Sequence, residues 1–197
     1  MSPPPGPAAT ITRLVRDIPD WPQPGVVFKD ITPLLNDAAG FAEVIDALVA
    51  LGHDHGPVDR VLGVEARGFV FAAPVAHQLG AGFVPVRKAG KLPWEIEREE
   101  YVLEYGVDLL EIHRDAVHPG ERVLVIDDVL ATGGTAAATG RLVEKLGGEV
   151  VAFGMVMELT FLGGRAALDG HEVRALARYG VDGPEPAEVA ATPGAGA

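Results

Sequence analysis

The stretch that decides the fold is RVLVIDDVLATGGT, residues 122–135. It opens with a continuous run of β-branched and other apolar side chains and closes on two aspartates, the composition of a strand buried on both faces. The reading is a strand over 122–127, a loop over 128–134 and a helix over Thr135–Leu146, stopped by the glycines of LGG (146–148). A helix N-terminus offers unpaired N–H groups and the positive end of its dipole, and Gly133 and Gly134 let a phosphate approach the backbone. The hydroxyls of Thr132 and Thr135 add donors. Asp127 and Asp128 are acceptors, suited to the two neighbouring hydroxyls of a ribose. Neither a Walker loop nor a G-x-G-x-x-G turn after a strand is present. Read alone, the stretch is equally an ordinary strand-to-helix connection.

Outward from it, short apolar runs alternate with stretches of helical period. RVLGV (60–64), GFVPVR (82–87), EVVAFGMVMEL (149–159) and EVRALAR (172–178) read as further strands, and 41–51 and 68–79 as helices. That alternation predicts an α/β fold, a mostly parallel sheet flanked by helices, with ligands at the carboxyl ends of its strands. EYVLEYG and VDLLEIH, around Gly106, read as a hairpin or a loop returning to the sheet.

Bulk properties narrow the function. A chain of 197 residues with net charge −12 lacks the basic surface that nucleic acid or an anionic membrane requires, so an anionic ligand needs a local site. The absence of cysteine removes disulfides, thiolate metal sites and thiol nucleophiles, and cytoplasmic residence is the expectation. MSPPPGPAAT has no signal-peptide pattern, and no apolar run reaches membrane-spanning length. Residues 1–10 and 180–197, poor in large apolar side chains, read as flexible tails around a single domain over 11–179. HDH (53–55) reads as a solvated helix end, not a metal site.

The length and order of the 122–135 stretch resemble the phosphoribosyl diphosphate (PRPP) signature of the type I phosphoribosyltransferases. RDIPDWPQPGVVFKDITPLL (16–35), GVEARGFVFAAPVAHQLGAGFVPVRKAGKLP (63–93) and YVLEYGVDLLEIHRDAV (101–117) are similar to the adenine-specific branch of that family. The resemblance implies the type I fold with a small N-terminal hood (about 11–36) and a flexible lid (about 90–106). It implies transfer of a phosphoribosyl group to adenine with Mg²⁺, held mainly by substrate and water, commonly by a homodimer.

It also assigns residues, each with a plainer alternative. Arg67, at the start of a helix, would grip pyrophosphate, although an isolated arginine there reads as a surface partner for Glu65. Arg87, Lys88 and Lys91 form a cationic cluster for the polyphosphate or a solvated basic loop. Asp127, Asp128 and Ala131–Thr135 would hold ribose and 5-phosphate. Phe28 would stack on the base, or pack in the core, while backbone groups near Val27 and Lys29 read N1 and the 6-amino group. Glu104, steering the N9 proton, and Tyr105 beside it would enter from the lid, although alternation alone puts a polar residue at 104. The glutamates of 95–104 repel one another and suit a segment that opens and closes. A PRPP-sensing regulator and an enzyme for another base share the donor pocket; the regulator reading is opposed by the acidic charge and the missing DNA-binding domain.

Overall fold

The computed structural model describes residues 6–103 and 106–186. Five strands form the parallel centre of an eight-stranded sheet: β3 (Arg60–Val64), β4 (Gly82–Lys88), β7 (Arg122–Leu130), β8 (Glu149–Leu159) and β9 (Val173–Gly180). Antiparallel strands β5 (Ile96–Leu103) and β6 (Gly106–His113) extend one edge, and β10 (Gly183–Glu185) the other, in the order β10-β9-β8-β7-β3-β4-β6-β5. After β4 the chain returns to the opposite side of β3 and adds β7 there. The order therefore reverses beside β3, where open α/β sheets place their ligands.

Each face of the sheet carries its own apolar core. One is formed with α1 (Pro7–Leu14), α3 (Ala38–Asp54) and α4 (Arg67–Leu79), and includes the fully buried Ile11, Leu48 and Phe71. The other is formed with α5 (Gly134–Lys145) and includes Leu142 and Phe153. α3 starts earlier than its apolar period because Asp37 caps it, accepting the Gly40 N–H at 2.7 Å. β7 runs past both aspartates to Leu130 because Val129 and Leu130 keep pairing with Met157 and Glu158 of β8. The phosphate-type loop is therefore only 131–133, shorter than expected.

Near the N-terminus, β1 (Arg16–Pro19) and β2 (Val27–Asp30) make an antiparallel ribbon outside the main sheet, followed by the short α2 (Thr32–Asn36). Three expectations need correction. Residues 7–10 are helical, not tail: Pro7 suits the first helical turn, and Thr10 is buried, its hydroxyl donating to Glu43 at 2.6 Å. Residues 180 and 183–185 belong to the sheet through β9 and β10. The segment read as a self-repelling lid carries β5, where Glu99 has cationic partners: it pairs with Arg141 and with Lys145 at 2.7 Å, tying the edge strand to α5. β5 and β6 do form a hairpin, with Leu103 opposite Gly106.

Candidate active site

At the carboxyl ends of β3 and β7 lies a cavity of about 290 Å³. Its floor is the turn Val64–Arg67, containing a cis peptide between Glu65 and Ala66, and its far wall is Asp127–Ala136. Ala131, Thr132, Gly133, Gly134 and Thr135 all line it. Gly133 has φ 83° and leads into α5, and a Cβ there would lie 2.2 Å from the Gly164 carbonyl oxygen. A Cβ on Gly164 would in turn lie 2.2 Å from the Ala131 carbonyl oxygen, so the loop and the 164 backbone are fitted against each other through two glycines.

Arg67 opens α4 and sets its Nε 3.0 Å from Asp128 Oδ2, not beside Glu65. The Asp128 carboxylate is almost wholly buried, whereas the Arg67 side chain remains 40% exposed toward the site. Asp127 Oδ1 accepts the Asp128 backbone N–H at 2.9 Å. Burial, reinforced by the negative charge of Asp128, pushes the Asp127 carboxyl well above the ordinary carboxylate range. Burial also raises Asp128, against the opposing pull of Arg67. The pair thus favours neutral, hydrogen-bonding acid over doubled negative charge.

The basic cluster divides. Glu65 gathers Arg87 Nε at 3.2 Å, the Lys88 N–H at 3.1 Å and the Lys91 ammonium. Burial resists ionisation of Glu65, but these donors outweigh it and lower its pKa. Lys88 lines the cavity, its Nζ 3.1 Å from Asp108 Oδ2, while Arg87 and Lys91 stand behind it on Glu65. Tyr101 and Asp108 also line the cavity and were missed from sequence. They are cross-strand partners in the hairpin, and the Tyr101 hydroxyl donates to Asp108 at 3.1 Å. A polar residue opposite a tyrosine was the available signal, legible only once the register is known. Glu104 and Tyr105 lie outside the described residues.

A second cavity, of about 580 Å³, opens between the ribbon and the ends of β8 and β9. Val27 and Lys29 face it from the ribbon, with Leu159, Phe161 and Leu162 opposite. Strand alternation puts Phe28 on the other side of the ribbon. Its ring meets Trp21 edge-on at 4.3 Å and lies 5.2 Å from the Arg67 guanidinium, so it does not line this cavity as a base-stacking residue would. Among the described residues no group of three or more His, Asp or Glu is arranged to hold a metal ion. No described helix is long and apolar enough to cross a membrane.

A glycine-rich loop running on from a buried Asp-Asp pair, at the reversal of a parallel sheet, is the arrangement of a phosphoribosyltransferase of type I fold, and the relatives of this chain agree. The sequence matches the phosphoribosyl transferase domain over residues 32–172. The adenine phosphoribosyltransferase of Acidothermus cellulolyticus is 56% identical over 176 residues, covering 87% of this chain and 99% of that protein. The chain belongs to the adenine phosphoribosyltransferases. The crystal structure of that enzyme from Thermoanaerobacter pseudethanolicus superposes with a TM-score of 0.84 at 51% identity, covering 87% of this chain and 99% of that one. The enzyme from Saccharomyces cerevisiae, crystallised with an imino-altritol bisphosphate and adenine, gives 0.82 at 41% identity, with 86% and 98% covered.

Proposed function

We propose that the protein transfers the 5-phosphoribosyl group of PRPP to adenine, giving AMP and pyrophosphate. The observation that carries this reading is the presence of two unlike cavities, one charged and glycine-lined after β3 and β7, one largely apolar after β8. They are linked where Arg67 of the first lies 5.2 Å from Phe28 of the ribbon that walls the second. The donor's 5-phosphate sits on the amides and hydroxyls of 131–135. Its ribose hydroxyls bond Asp127 and Asp128, and its diphosphate meets Arg67, Lys88 and the amides of the 65–67 turn. Adenine enters the second cavity between Val27 and Leu159. There the backbone of the ribbon near Val27 and Lys29 offers donors and acceptors to its N1 and 6-amino group.

N9 of the base then attacks C1 of the ribose as the C1–O bond to pyrophosphate breaks, through a cation-like sugar. The N9 proton passes to Glu104, with Tyr105 positioning the segment. Fixed cations at Arg67 and Lys88 stabilise the leaving charge. Mg²⁺ suits the hard oxygen donors here: Asp127 and Asp128 would hold it through water, and it would neutralise part of the diphosphate charge. The enzyme works in the cytoplasm as a homodimer. Exposed Val70 and Phe83 on α4 and β4 favour an association surface, checked by sedimentation.

One assay tests the reading: PRPP and Mg²⁺ with adenine, hypoxanthine and guanine in parallel. AMP formation should exceed IMP and GMP formation by at least about 100-fold, since a base with reversed donors leaves buried groups unpaired at about 1–3 kcal/mol each. Equal turnover of all three would remove the role of the ribbon, and PRPP binding without product would favour a regulator.

A further inference from the structure

We infer that the Lys29 side chain is a positioning residue for the acceptor base, seating the ribbon on the end of β9 and thereby fixing the depth of the second cavity. The inference rests on that cavity being the base site. β1 and β2 share no hydrogen-bonded sheet with the body, so the ribbon's place depends on side chains. Lys29 bridges the gap at this cavity. It is only 14% exposed, its Nζ lies 4.4 Å from the centre of the Tyr179 ring, and it donates to Asp17 Oδ1 at 2.7 Å across the ribbon.

The Asp17 carboxylate is more than half exposed, and such an ion pair contributes little in water. A cation over an aromatic face is stronger once water is excluded, and Tyr179 is 4% exposed. Tyr179 is also the strand partner of Leu159. The distance from Lys29 to the tyrosine ring therefore sets the separation between Val27 on the ribbon and Leu159 on the sheet. On the ribbon's other side Phe28 rests against Arg67, which touches the donor and not the base. Loss of the Lys29 contact should accordingly affect one substrate.

Lys29→Gln in the full chain removes the charge and shortens the side chain by one bond while leaving an N–H donor for Asp17. The KM for adenine should rise about tenfold with the KM for PRPP changed by less than about twofold, and Lys29→Arg should restore adenine use. Hydrogen exchange of the amides of 27–30 should quicken in Lys29→Gln and return to normal in Lys29→Arg. An unchanged adenine KM with unchanged exchange, or an equal rise for both substrates, would overturn the inference. If wild-type protein fails to use adenine at all, the exchange result still decides whether Lys29 seats the ribbon, and only the base assignment falls.

Discussion

Burial and the charge of Asp128 raise the Asp127 carboxyl, so the native state binds its proton more tightly than the unfolded chain does. Stability is then lost as pH rises from the ordinary aspartate value, about 4, through the raised one. Asp127→Asn keeps the acceptor for the Asp128 N–H and removes the carboxyl whose ionisation burial opposes. Its melting temperature at pH 7 should exceed the wild type's, by about 2–4 °C for each kcal/mol recovered, with the difference closing toward pH 4. Calorimetry across that range checks the sign, and titration with PRPP should show the same variant weakened by at least about tenfold. At this scale the sequence is least informative about partners. Glu65 is closer to Arg67 along the chain than Asp128 is, yet Arg67 takes Asp128, because β3 and β7 are neighbours and the basic end of β4 has claimed Glu65.

Among the elements, the ribbon and the phosphate loop differ in how they are held. Asp30 ends β2 and accepts the side-chain and backbone donors of Thr32 together with Arg16, which bring its pKa to about 2. A depressed carboxyl stabilises above its unfolded value and ceases to as pH falls through the folded one. The junction between the ribbon and α2 should therefore loosen between pH about 4 and about 2. Trp21, packed on Phe28, should report this by fluorescence in a Trp94→Phe background, and Asp30→Asn should abolish that acid step. The phosphate loop is held by backbone instead. Gly164→Ala drives a methyl into the Ala131 carbonyl and should weaken PRPP binding by about tenfold or more, whereas Gly170→Ala, strained but distant, should not. The strands of the parallel centre and the helices between them were legible because apolar period survives any context. The shorter loop was not, because the end of β7 is set by pairing with β8, a contact between distant segments. Nor was the edge strand β5, whose glutamates look repulsive until Arg141 and Lys145 stand beside them.

For the whole molecule, the donor cavity joins the turn after β3, the end of β4, Tyr101 of β5, Asp108 of β6 and the end of β7 with the loop beyond it, so filling it links elements far apart in the chain. A ligand that binds only the folded state at about 100 times its Kd adds about 2.7 kcal/mol. PRPP with Mg²⁺ at that level should raise the melting temperature by about 5–10 °C, and adenine alone by much less, since it meets one cavity. A comparable shift from adenine alone would mean that its site forms without the donor. The net charge of −12 is no obstacle, since Arg67 and Lys88 present their charge at the cavity itself. Membership of the family was legible from four short segments, but the division of labour between two cavities needed the coordinates.

The ribbon meets the body through a few side chains, while everything that holds the sugar and its phosphates belongs to the body, in the main sheet and in the turns and helix starts at its strand ends. Recognition of the acceptor and activation of the donor are thus carried by separable parts. A chimera that exchanges residues 16–30 for another sequence of the same length should retain the donor's affinity and change the menu of bases. The fold is in that sense a fixed engine with an interchangeable fitting.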